Sequence, residues 1–475
     1  MARVTTSLCA IVAAIPAFAG DFGADVDALL AQRSAELFGL AAPLAASAEA
    51  TPEEGYRTEA QGAFDQIMLA EGLTAEYVTR AAGNHLDMMT FWPEEAPTHL
   101  VGCIEGGVGE IAAGKLNPSI QSIDLATGEV KTLVRGMDRC DGIRTTAWGT
   151  ILATEETDDG AAYELIDPLG LDNAVVTDRA TGAVSDPVRI AKRPALPIIS
   201  WEGLTVTADG VVIGGDELRP GTDTADADGG AMFKFIPALA HTGGMIASLD
   251  ASPLAAGKSY AMQVSCVKGK IQAGQGCEIG NAAWIEIDPA KARADADAKG
   301  ATGYYRPEDL HADPVYSGPG VRFCWTNTGN EGGKNYGEVI CGIDTDPMAA
   351  PQPDAEGKLD MTVTVNRFIE GDSDLNSVDN LAFQPGTGIL YVIEDHENGD
   401  VWACLPDGAD RNVKSDGCVR MLSVVDSSAE PTGFIFAPDG LTAYVSVQHS
   451  DDTNMPKVDD YATDDLIRIS GFARP

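Results

Sequence analysis

VDNLAFQPGTGILYVIEDHENGDVWACLPDG (residues 378–408) and PTGFIFAPDGLTAYVSVQHSDD (residues 431–452) are two versions of one pattern. Each runs through a short apolar strand, a Pro/Gly turn, a second strand and then polar residues, which is the signature of a β-hairpin. Asp379 to Glu394 is a step of 15 residues, and so is Gly433 to Gln448. The unit also occurs upstream, as EGLTVTADGVVIGGDE (202–217) and DGIRTTAWGTILATEE (141–156). With longer turns it occurs as RPEDLHADPVYSGPGVRFCWTNT (306–328) and LDMMTFWPEEAPTHLVGCIEGG (86–107). Each of the six copies is followed by further strand-like runs, such as SIQSIDLATGEVKTLV (119–134) and GAMFKFIP (230–237). Repeats of this kind predict an all-β, six-bladed β-propeller, with blades of about four strands around a central channel.

Outside the repeats, DPAKARADADAKG (288–300) predicts a short helical insertion. Residues 20–82 read as a lead-in segment, Pro/Ala/Glu-rich at first and then amphipathic and helix-like over TEAQGAFDQIMLAEGL (58–73). The propeller is expected over 83–475. Residues 1–19 carry Arg3, an apolar run and a small-x-small end at Ala17-Phe18-Ala19, the pattern of a secretory signal peptide. No other stretch approaches the roughly 18 apolar residues of a membrane span. An exported chain, to the periplasm or beyond the cell, is the expectation.

The formal net charge of −40 repels phosphate backbones and anionic lipid, so nucleic-acid and membrane partners are excluded as expectations. Nothing suggests a coiled coil or a docking helix, and a monomer is expected. Of nine cysteines, eight remain once Cys9 leaves with the signal, an even number that suits disulfides in an exported chain. Local spacing suggests Cys266–Cys277, Cys324–Cys341 and Cys404–Cys418, leaving Cys103 and Cys140 to pair or to serve elsewhere. There is no C-x-x-C for a zinc ribbon.

In a propeller, the innermost strands and the returns of their hairpins converge on the channel mouth. These positions carry Asp87, Glu105, Asp141, Glu155, Glu156, Glu202, Asp216, Glu217, Glu308, Asp379, Glu394 and Asp395. At about 4 Å and intermediate dielectric, like-charged pairs cost several kcal/mol each, on the order of 4. Hard cations resolve the repulsion, and oxygen-only ligands select calcium. The Arg306 of RPE is then free to meet an anion, and bidentate arginine suits phosphate. No G-x-S-x-G or H-E-x-x-H is present, and the six histidines have no metal-like spacing. His449 ends the sixth hairpin and faces the channel in this reading, with His311 and His396 as weaker candidates. SPLAAGKS (252–259) imitates a P-loop without its first glycine, TADADGGA (224–231) imitates part of a calcium loop, and Trp148 is read as a packing residue.

RPE, TTAWGTILATEE, the D-N-L-A-F…ILYVIED segment and PTGFIFAPDGLTAYVSVQH resemble the PhoX-type alkaline phosphatases, as do LDMMTFWP and FKFIP, over roughly residues 84–450. The resemblance implies an exported six-bladed propeller that hydrolyses phosphomonoesters with calcium and ferric ions at its axis. It implies that Glu155 or Glu156, Glu202 and Glu308 are metal ligands and that Arg306 contacts phosphate. Arg306, Glu308 and Glu202 are thus the candidate catalytic set. The family places an iron-bridging cysteine seven residues before its W-G-T tryptophan. Here Cys140 lies eight before Trp148, and Asp141 holds the seventh position. Cys140 is therefore either a metal ligand or a disulfide partner of Cys103. The family's twin-arginine export signal is replaced here by a lone Arg3. A calcium-dependent lactonase or esterase and a non-catalytic calcium-binding propeller are the competing functions.

Overall fold

The six strands that head the repeats are Leu86–Trp92, Cys140–Thr145, Trp201–Val206, Pro307–Ala312, Val378–Phe383 and Glu430–Phe436. In this computed structural model they lie beside one another in chain order, and the last returns to the first, so they close a ring. The structure describes residues 22–221, 228–264, 278–351, 355, 359–406 and 417–475. The architecture is all-β and propeller-like, with little helix.

From each ring strand an antiparallel meander runs outward, as in Cys140–Thr145, Thr150–Glu155, Ala162–Ile166 and Ile190–Lys192. The meanders that begin at Trp201 and Pro307 share one ten-stranded sheet, because Gly280–Ile287 pairs with Val363–Glu370 at their outer edges. Strands covered on both faces read as continuous apolar runs: every residue of Leu390–Glu394 (LYVIE) is buried. The apolar side chains gather in clusters between neighbouring sheets, such as the one holding Met88, Val101, Ile143, Ile151 and Tyr163. The expected insertion helix is Ala292–Lys299, and Arg293 ties it to the neighbouring sheet through Asp216 at 2.8 Å.

The N-terminal stretch differs from its sequence reading. Residues 58–73 form no α-helix; they hold one 3-10 turn, Ala63–Asp65, and a strand, Ile67–Leu69. That strand pairs with Leu422–Val424 and fully buries Ile67. Gly62 and Gly72 weaken any helix across the stretch, while a sheet edge offers its backbone partners. The α-helices lie earlier, at Phe22–Gln32 and Ser34–Leu37. Thr74–Gly83, placed in the lead-in by sequence, pairs with Thr463–Ser470 and completes the last sheet, so chain start and chain end close the ring together. Buried Arg57 and half-buried Arg80 both pair with Asp465 beneath this seam.

Among the described residues three disulfides form, Cys103–Cys140, Cys324–Cys341 and Cys404–Cys418. The open choice at Cys140 thus falls to the disulfide. Residues 1–19, Cys266 and Cys277 lie outside the described residues, as does most of the acidic loop before Asp228. Residues 252–259 form a short 3-10 turn leading into the strand Gly257–Val264, with no phosphate-binding loop.

Candidate active site

Five of the six ring strands carry an acid as their second or third residue, and its position follows from the ladder. Leu86, Cys140, Trp201, Pro307 and Val378 each pair with the end of the next strand, at Ile104, Glu155, Asp216, Asn327 and Glu394. The register slips directly after each of these pairs, and such bulges re-aim side chains. The residues so placed are Asp87, Asp141, Glu202, Glu308 and Asp379. A second tier follows the return strands: Glu105, Glu156, Glu217, Thr328 and Asp395. Their backbone N–H groups donate to His85, Arg139, Ser200, Arg306 and Ser377 at 2.7–3.2 Å, which sets both tiers at one mouth.

Two carboxylate groups result. Asp141, Glu156 and Glu202 bring ligand oxygens within 4.8 Å of one another, and so do Glu202, Glu308 and Asp379, with Glu202 common to both. Burial and neighbouring carboxylates push these acids up, Asp141 to about 7 and Glu308 to about 8. Asp87, Glu156, Glu202 and Asp379 are pushed well above the usual range by the same causes. One buried oxygen on each of Asp87, Asp141 and Asp379 has no hydrogen-bond partner. Unpartnered buried carboxylate oxygens that repel one another fit a cation. The residues therefore suit hard metal ions held by oxygen. They do not suit an ion bridged by a thiolate, because Cys140 is bonded to Cys103.

Each acidic pair that ends a return strand divides its labour, and three of the expected ligands stand outside the two carboxylate groups. Glu155 accepts from the Asp138 and Ala161 backbone N–H groups at 2.9 and 3.1 Å and pairs with Arg179. Asp216 accepts from the Ser200 N–H at 3.0 Å and pairs with Arg293. Glu394 accepts from the Asn376 and Asp400 N–H groups and lies 3.3 Å from His396. These three clamp the hairpins. The acid that follows each of them, Glu156, Glu217 or Asp395, lies at the mouth instead.

Arg306 takes a left-handed φ of 57° and donates from Nε to Glu217 at 2.7 Å, with Glu308 at 3.3 Å and Asp395 at 3.8 Å. Sequence reading missed its counterpart. Arg139, φ 51°, bridges Glu105 and Glu156 and remains 46% exposed at its side chain. The signal was present, since Arg139-Cys140-Asp141 repeats the spacing of Arg306-Pro307-Glu308. Glu430 was missed as well: it heads the sixth ring strand, pairs with His449 at 3.1 Å and is pushed up by burial and by Asp395. Of the other histidines named from the sequence, His311 is held by Asp309 and Arg144. His396 is raised to about 9, against its burial, by the Glu394 carboxylate. Trp148 is fully buried, its indole N–H donating to Glu164.

A propeller-like ring whose mouth gathers carboxylates between two guanidinium groups defines a protein equipped to hold cations and receive an anion. Residues 221–451, just under half of the chain, match the family described as alkaline phosphatase PhoX, a family of phosphoric monoester hydrolases. Among solved structures it is similar to Pseudomonas fluorescens PhoX in complex with vanadate, a transition-state analogue. The identity is 16% and the TM-score 0.56, covering 88% of this chain and 98% of that one. The PQQ-bound aldose sugar dehydrogenase of Streptomyces coelicolor matches at 11% identity and TM-score 0.42, covering 85% of this chain and 99% of that one. A gluconolactonase of Xanthomonas campestris matches at 12% and 0.41, covering 91% and 99%. No curated protein matches the sequence.

Proposed function

We propose that the protein is an exported, calcium-dependent alkaline phosphatase that hydrolyses small phosphomonoesters at the mouth of a six-bladed propeller. In this reading the ten-stranded sheet is two blades joined at their rims. One observation carries the proposal: Asp141, Glu156, Glu202, Glu308 and Asp379 meet beside Arg306 in a chain that matches the PhoX family. The three disulfides fit an exported protein, and among the described residues no helix is long and apolar enough to cross a membrane.

Asp141, Glu156, Glu202, Glu308 and Asp379 would hold the cations, with Asp87 and Glu217 beside them. Bound there, calcium would supply charge neutralisation and polarisation of phosphate oxygens. Arg306 is already preorganised: Glu217 and Glu308 fix its guanidinium, so donors face the mouth before substrate arrives. Such fixed donors stabilise charge that grows on equatorial phosphate oxygens, and they need no reorganisation to do so. Arg139 offers a second guanidinium across the mouth, more exposed and so suited to the incoming ester. Glu308, raised to about 8, is placed to hold a proton when no cation lies against it.

The test is hydrolysis of p-nitrophenyl phosphate with elemental analysis before and after chelation. Arg306→Ala and Glu308→Gln are each expected to lower kcat/KM at least a hundredfold, the scale for losing one preorganised charge contact. Near-normal rates in both variants would refute the site. Inhibition by orthophosphate separates the phosphatase from a lactonase, which should not respond to it.

A further inference from the structure

Where the first and last sheets meet, the mouth carries a cluster of different chemistry. His85 precedes the ring strand Leu86–Trp92, Glu105 follows His99–Ile104, and His449 follows Thr442–Gln448. The two imidazoles stand edge to face, 4.4 Å between centroids. One ring nitrogen from each and a Glu105 oxygen lie within 4.8 Å of one another. Glu105, one of the acids at the mouth, is thus also grouped with nitrogen donors.

The surroundings hold these groups as ligands are held. The Glu430 carboxylate lies 3.1 Å from Nε2 of His449 and orients the ring. Glu105 is fixed by Arg139 and by the Gln448 side-chain amide at 3.3 Å. The His85 imidazole has no hydrogen-bond partner among the described residues. Carboxylate–histidine pairing and braced carboxylates are the usual outer partners of metal ligands. The remaining four histidines are engaged elsewhere: His99 with Thr98 and Asp124, His241 with two carbonyls, His311 with Arg144 and Asp309, His396 with Glu394. Among the described residues, His85 and His449 are the two imidazoles that group with a carboxylate at ligand spacing. His449 also lines a cleft, with Asp395, His396 and Glu430.

We infer that His85, Glu105 and His449 form a separate site for a divalent transition-metal ion of the zinc class, distinct in chemistry from the oxygen-only axial groups. Two imidazoles and one carboxylate favour zinc, cobalt or nickel over calcium and leave a fourth position open to water or an anion. The inference does not depend on the phosphatase reading, since it concerns metal selectivity alone.

The experiment uses the untagged full protein, stripped of metal, reloaded with calcium and titrated with cobalt(II). One equivalent should bind with visible d–d absorption, be displaced by zinc and resist excess calcium. X-ray absorption of the zinc-loaded wild type should show two imidazoles in the first shell. His85→Gln and His449→Gln should each weaken cobalt binding at least tenfold. Cobalt or zinc bound with no imidazole scattering in the wild type overturns the inference, as does unchanged affinity in both variants. The wild-type spectrum decides the matter even if a variant fails to fold.

Discussion

Arg306 shows how one residue can be read twice. Its left-handed backbone places the guanidinium between Glu217, Glu308 and Asp395, so it neutralises the mouth and also offers donors to an anion. Lysine cannot reproduce the planar fork, so Arg306→Lys should lower kcat/KM nearly as much as Arg306→Ala, while either stability change stays the smaller effect. The axial acids give a pH prediction. Asp141 and Glu308 ordinarily titrate at 3.8 and 4.5 but are raised in the fold to about 7 and about 8. The folded state then binds more protons than the unfolded chain, so stability is greatest at low pH and falls as pH rises through that window. Chelated protein should therefore show a falling Tm from about pH 4 to pH 8, and added calcium should flatten the fall. A metal-free Tm that rises over this range would contradict the raised carboxylates.

At the scale of the hairpin, the clamps Glu155, Asp216 and Glu394 do the holding and the acids after them face the mouth. Asp216→Ala removes the partner of both the Ser200 N–H and Arg293, and it should cost about 3–5 kcal/mol in urea unfolding, as breaking a buried pair does. Glu217→Ala, one residue on, should cost far less stability and should act on kcat/KM. Equal stability losses from the two would sink the division. The repeat spacing made the mouth legible, because a step of 14 or 15 residues returns four of the six hairpins to the same place and longer turns extend the other two. What spacing could not tell was which acid of Glu155-Glu156 or Asp216-Glu217 turns inward. That depends on the bulge after each ring residue and on which backbone N–H groups lack partners, neither of which is written in residue type. His85 and Arg139 were obscured for a related reason: both sit in left-handed turns that alternation of polar and apolar residues does not mark.

Across the whole molecule, ring closure decides stability. Thr74–Gly83 pairs with Thr463–Ser470, and Asp465 sits buried between Arg57 and Arg80. Sequence reading cut the chain at 82/83 because the lead-in lacks the hairpin repeat, yet closing the ring needs a strand from the opposite end of the chain. Asp465→Ala leaves two guanidinium groups, one of them fully buried, without their carboxylate, and should cost about 3–5 kcal/mol in denaturant unfolding. An unchanged unfolding midpoint would show that this seam carries little of the closure. The ring in turn serves the mouth, since each sheet contributes its own acid or base to a site that no single repeat could build. The central claim is that cations make this convergence of acids tolerable, and Glu202, common to both axial groups, is its most exposed point. Calorimetric titration of chelated wild type and Glu202→Gln with calcium tests it directly. The wild type should bind calcium and the variant should bind at least tenfold more weakly, whereas equal binding by the two, or none by the wild type, would contradict the account.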